Sequence, residues 1–159
     1  MARYLVVANI TAESPSLRTE VARIAQEAPD TEFVVLVPLR PIPVVLELVG
    51  AVEERPVALG RRRAQRAVRR LESVGVRCAT VRLGGYDPLQ SIEEELAYQE
   101  YRGVIISTLP HPVSHWLRTD LPSKVAKRHP ELDVRHVVAP RALYVDEVAL
   151  QAAPQLRYD

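Results

Sequence analysis

Residues 103–108 read Gly-Val-Ile-Ile-Ser-Thr, residues 116–129 read Trp-Leu-Arg-Thr-Asp-Leu-Pro-Ser-Lys-Val-Ala-Lys-Arg-His, and residues 134–139 read Val-Arg-His-Val-Val-Ala. The first segment is a continuous apolar run closed by two hydroxyls, as expected of a strand buried on both faces. The second contains a short helix over 121–129, and the third is another buried strand. Strand, crossover helix and strand in this order form a parallel pair. In open α/β sheets ligands bind outside the carboxyl ends of the strands. Ser107 and Thr108, which end one strand and feed a long loop, therefore mark a candidate site.

The same alternation extends toward the N-terminus. Tyr4–Ala8 and Phe33–Val37 are apolar runs read as buried strands, and Arg77–Leu83 is a third, ending at Gly84-Gly85. Between them, Ser14-Pro15 is a helix start, with Ser as cap and Pro in the first turn. Leu17, Val21, Ile24 and Ala28 then recur at helical spacing. Leu59–Val74 reads as a helix with Ala64, Ala67, Val68, Leu71 and Val74 on one face, stopped by Gly75. Asp87-Pro88-Leu89-Gln90 opens a further helix, with Asp as cap and Gln three residues on. Pro38 to Pro56, with prolines at 38, 41 and 43, resists a regular assignment, and the apolar run from Val44 to Val49 within it must pack somewhere. Residues 140–159 fall outside the alternation, so the reading divides the chain into an α/β domain over 1–139 and a C-terminal extension over 140–159.

Composition sets outer bounds. The chain has 159 residues, 47% hydrophobic and 26% charged, with a net charge of +1. This is ordinary for one globular domain, and no global field argues for a nucleic-acid or membrane partner. No apolar run approaches the length of a membrane span, and because the basic region, apolar core and cleavage site of a leader are not read ahead of Tyr4–Ala8, no secretory leader is expected. Cys78 is the only cysteine, which excludes an internal disulfide and agrees with a reducing, cytoplasmic setting.

Within 3–139 the ending of strand, loop, helix of the Ser-Lys-Val-Ala-Lys-Arg-His-Pro type and Val-Arg-His-Val-Val strand resembles the universal stress protein family. That resemblance implies a three-layer, flavodoxin-like α/β sandwich (adenine nucleotide alpha hydrolase-like). Its five-stranded parallel sheet would have the order 3-2-1-4-5, and the domains would pair as homodimers through the last strand. ATP-binding members carry an Asp at the end of the first strand. They also carry a glycine loop after the fourth, with Gly-Ser or Gly-Thr opening the last helix, where backbone amides and the helix N-terminus hold phosphates. This sequence has Asn9, Ser107-Thr108-Leu109-Pro110 and Thr119-Asp120 at those places, with no glycine from Ser107 to Arg118. Prolines 110, 112 and 122 have no amide to donate, and Asp120, expected to cap the last helix, puts negative charge where a phosphate would lie. The expectation is a stress-protein-like regulatory module that uses no cofactor, ATP and AMP being disfavoured, with a protein partner. The alternative is a nucleotide or small-ligand binder with a remodelled pocket lined by Asn9, Thr11, Ser107, Thr108 and Ser114, with Arg118 as the cation for an anionic group.

Other clusters carry less. His111 and His115 are four apart, but the prolines at 110 and 112 argue against a helix there and no carboxylate or thiol adjoins them, so no metal site is expected. Arg61, Arg62, Arg66, Arg69 and Arg70 lie off the apolar face of their helix and read as a solvated surface paired with nearby acids. Near-neutral charge and few aromatics weigh against nucleic acid. No nucleophile elbow, Cys/His pair or Walker loop is present, so no catalytic set is assigned.

Overall fold

The computed structural model describes residues 2–40, 55–111 and 114–140. The Pro38–Pro56 segment, apart from its first and last few residues, and nearly all of the 140–159 extension lie outside them. In chain order the elements are β1 (Arg3–Val7), α1 (Pro15–Glu27), β2 (Glu32–Val37), α2 (Pro56–Glu72), β3 (Arg77–Leu83), α3 (Pro88–Tyr98), β4 (Gly103–Thr108), α4 (His115–Arg118), α5 (Leu121–Arg128) and β5 (Asp133–Val138). Among the described residues, all four strand pairings are parallel. The sheet order is β3-β2-β1-β4-β5, as the resemblance implies.

Period-two alternation divides the apolar strand residues between two layers. On one face Tyr4, Val6, Phe33, Val35, Val37 and Ile105 meet Leu17, Val21 and Ile24 of α1 and Ala64, Ala67 and Leu71 of α2. On the other, Leu5, Val7, Val34, Leu36, Val104 and Ile106 meet Ile92 of α3 and Leu121 and Val125 of α5. The central strands β1, β2 and β4 are almost wholly buried, whereas edge strand β5 is half-buried with Val138 exposed.

Helix ends follow the cap residues. The Ser14 hydroxyl accepts from Ser16 N, and the Asp87 carboxylate accepts from Gln90 N. Gly75 leaves α2 at φ 83°, a conformation that favours glycine. Three details correct the sequence reading. Helix α2 begins at Pro56, three residues before Leu59, because Pro in the first turn is already set for a helix. A four-residue helix, His115–Arg118, follows the loop prolines. Its start at His115 means that His111 precedes it, so the two imidazoles share no helix face. Asp120, expected to cap the last helix, makes no side-chain cap bond and sits in the left-handed region at φ 56°, ψ 42°.

Candidate functional site

Strand β1 has β2 on one side and β4 on the other. The connections from β1 and β4 therefore leave on opposite faces of the sheet, which opens a crevice at the carboxyl ends of those strands. The sequence-derived residues lie around it, and five of the six are buried: Asn9, Thr11, Ser107, Thr108 and Ser114. Arg118 is exposed, in the last turn of α4.

These residues do not act as one lining. Ser107 and Thr108 are consecutive on a strand, so their side chains point to opposite faces. Ser107 Oγ lies 2.6 Å from Thr11 Oγ1, a buried hydroxyl pair that ties the β1–α1 loop to the end of β4. Thr108 Oγ1 lies 2.8 Å from His136 Nε2 on β5. Ser114 caps α4, its hydroxyl accepting from Leu117 N at 3.2 Å. The Asn9 amide is engaged at both ends: its nitrogen donates to the Pro38 carbonyl and its oxygen accepts from the Arg63 guanidinium. A buried amide with both ends paired meets the general requirement that buried polar groups find partners.

Sequence reasoning missed Arg63, His136 and the Pro38 carbonyl. Arg63 was legible in principle. It stands three residues after Gly60 and four before Ala67, both on the buried face of α2, so its stem runs along that face while its head reaches the strand ends. The Gly84-Gly85 turn behaves as turn chemistry. Gly84 N donates to the Val37 carbonyl and Leu39 N to the Gly85 carbonyl, each at 2.9 Å, so β2–β3 pairing continues past the strands. The Ser91 hydroxyl accepts from Gly85 N at 2.9 Å. Among the described residues, no group of three or more His, Cys, Asp or Glu side chains could hold a metal ion.

Neither a family model nor a curated protein matches the chain. Solved structures do. A universal stress protein from Archaeoglobus fulgidus superposes with TM-score 0.56 at 12% identity, over 88% of this chain and 94% of that one. A universal stress protein family protein from Arabidopsis thaliana with AMP bound gives 0.58 at 15% identity, over 94% of this chain and 99% of that one. The chain has the universal stress protein fold. The Archaeoglobus protein in complex with dAMP gives 0.52 at 12% identity, over 88% of this chain and 98% of that one. At such identities the likeness to universal stress proteins is one of architecture. No helix among the described residues is long and apolar enough to cross a membrane.

Proposed function

We propose that this chain is a regulatory module of the universal stress type that does not hold ATP in the usual way and acts through protein contacts. The observation that carries this reading is the buried Thr11–Ser107 hydroxyl pair across the mouth of the β1–β4 crevice. Together with the Asn9–Arg63 and Asn9–Pro38 bonds, it commits the strand-end polar atoms to one another. A ligand entering there would have to replace those bonds with equally good ones. Prolines and a carboxylate at the start of the last helix supply none of the amides or positive potential that a triphosphate requires.

Calorimetric titration with ATP, ADP, AMP and cyclic AMP, with and without magnesium, tests the proposal. The expected result is no binding at micromolar concentrations. Micromolar affinity for any of them would replace this reading with the second one, a nucleotide binder with a remodelled pocket. That second reading has its own support in the bound AMP and dAMP of the Arabidopsis and Archaeoglobus proteins. The proposal includes a homodimer through β5, whose exposed Val138 lies on a sheet edge that no other described strand pairs, and a cytoplasmic setting. A monomer by light scattering at high micromolar concentration would remove the dimer from the proposal.

A further inference from the structure

Two hydrogen bonds fix which backbone groups of β5 face outward. Asp133 N donates to the Arg102 carbonyl at 3.0 Å and Ala139 N to the Thr108 carbonyl at 2.9 Å, so the odd-numbered residues of β5 bond to β4. The amide and carbonyl of one residue leave a strand on the same side, and that side alternates from residue to residue. The backbone groups of Val134, His136 and Val138 therefore point away from β4, along an edge that no other described strand pairs. Their side chains also share one face of the sheet, that of Val104, Ile106 and α5. Val134 is half-buried there, while His136 and Val138 are exposed.

Two copies that join such edges in one continuous sheet about a two-fold axis run antiparallel. The axis stands normal to the sheet, so opposed residues share a face. The three outward residues then match completely in one register. Val134 of each copy stands opposite Val138 of the other, and His136 stands opposite His136 on the axis. The next registers on either side leave Val138 or Val134 opposite a residue outside β5. The one that displaces Val138 also sets Arg135 against its own copy, and like charges directly opposite are destabilising. The favoured register instead covers the exposed Val138 with an apolar partner.

We propose that the β5 edge binds a second copy of this chain in that register, which sets the two His136 imidazoles against each other and releases the dimer as they become protonated. The inference rests on the β5 homodimer of the proposed function and adds its register and its regulation. Within one chain the His136 ring is bonded to the neutral Thr108 hydroxyl at 2.8 Å, and burial holds its pKa below the ordinary value. Strand β4 has no ionisable side chain. Helix α5, on the same face, carries Lys124, Lys127 and Arg128, with Asp120 before it and His129, paired to Glu93 and Glu131, after it. Asp133 and Arg135 alternate to the opposite face, where Arg135 meets Glu20 of α1. A like imidazole across the axis disfavours the charged form further. The dimer therefore binds fewer protons than two free chains, and association weakens as pH falls through the imidazole range.

Sedimentation equilibrium of the full chain at about pH 8 and about pH 5.5, on either side of the ordinary imidazole value, tests the regulation, with circular dichroism verifying the fold at both. The parent is expected to dimerise at the higher pH and roughly tenfold more weakly at the lower. His136→Gln, which can still bond Thr108 but does not titrate, should dimerise equally at both. Cysteine cross-linking under a mild thiol oxidant reads the register independently. His136→Cys should form a disulfide-linked dimer beyond the parent's background, because opposed bonded residues stand about 5.5 Å apart at Cα. Val138→Cys should not, because its two copies lie about 13 Å apart along the strands. The proposal is overturned by a parent dimer of equal affinity at both pH values, or by a His136→Gln variant that keeps the parent's pH dependence. Cross-linking at Val138→Cys but not at His136→Cys overturns it equally. A chain that is monomeric at both pH values overturns the β5 homodimer itself, and the proposal with it.

Discussion

Replacing Gly103 with alanine forces a methyl group into two neighbours at once. Gly103 opens β4, between β1 and β5. An added Cβ would stand 2.9 Å from Tyr4 Cδ1 and closer still to Tyr4 Cε1 and to the Asp133 carbonyl oxygen. The carbonyl belongs to a paired strand and has no rotamer to change. Overpacking of this kind costs about 1–3 kcal/mol. The tyrosine ring can yield only by leaving the core, where it is 5% exposed, and by giving up the hydrogen bond its hydroxyl donates to the Asp133 carboxylate at 2.7 Å. A hydrogen bond to a charged group is worth about 1.5–3 kcal/mol, and the lower end applies because the Asp133 side chain is 41% exposed. The two effects together give about 3–4 kcal/mol, a large fraction of the roughly 5–15 kcal/mol that holds a domain folded. Urea unfolding of Gly103→Ala should show a midpoint lower by about 1.5–2 M at an unchanged slope near 2 kcal/mol/M. Gly85→Ala is the control: nothing lies within 4 Å of its added Cβ, and its stability should stay within about 0.5 kcal/mol of the parent. A loss below about 1 kcal/mol for Gly103→Ala, or equal losses for the two variants, would refute the reasoning.

Three further predictions concern charge, thiol and backbone. Burial alone would raise the Asp133 carboxyl, but hydrogen bonds from Tyr4 and Arg135 outweigh it and hold the group below its usual range; Glu20 is likewise held down by Arg23 and Arg135 against its burial. With folded values below unfolded ones, their stabilisation is present above the unfolded carboxylate range and is lost as pH falls through the folded values. Thermal melts from pH 7 to pH 3 should therefore show a declining midpoint, and Asp133→Asn should flatten that decline; an unchanged slope would count against the network. Burial, aided by Glu72, pushes the Cys78 thiol up to about 11, so a disulfide reagent at neutral pH should label the native chain at least about tenfold more slowly than the urea-unfolded chain. Asp120 lies in the left-handed region without a cap bond, so Asp120→Gly should be more stable than Asp120→Ala by about 1 kcal/mol in urea, and an inverted order would show that the positive φ carries no strain.

The sheet was legible because its signals are local. Runs such as Leu5–Val7 and Val104–Ile106 are apolar on both faces, and the cap residues Ser14 and Asp87 with their following prolines fix where α1 and α3 start. The strand order was not local and entered through resemblance. The candidate site was legible only as a place. Sequence position put Asn9, Thr11, Ser107 and Thr108 at the carboxyl ends of β1 and β4, and they are there. Their division between the two faces of the sheet follows from strand parity, which the sequence does contain. Arg63 and His136 arrive from other elements, 54 residues from Asn9 and 28 from Thr108. No spacing rule announces such partners, because only the folded sheet brings them together.

Asp120 and Asn9 together bear on the proposal that this crevice does not hold ATP in the usual way. At Asp120 the backbone keeps a left-handed conformation that glycine adopts at little cost, yet the side chain there is a carboxylate that makes no cap bond. Negative charge at that helix start opposes an anionic ligand. At Asn9 a neutral amide replaces the carboxylate that the resemblance leads one to expect, and the positive charge it meets is the chain's own Arg63. An amide can accept from Arg63 and donate to the Pro38 carbonyl at once, whereas an ionised carboxylate has no proton to donate. Asn9→Asp would turn the Pro38 contact from a hydrogen bond into a repulsion between two buried oxygens while strengthening the Arg63 pair. The choice of Asn therefore fits a strand end that closes on its own backbone.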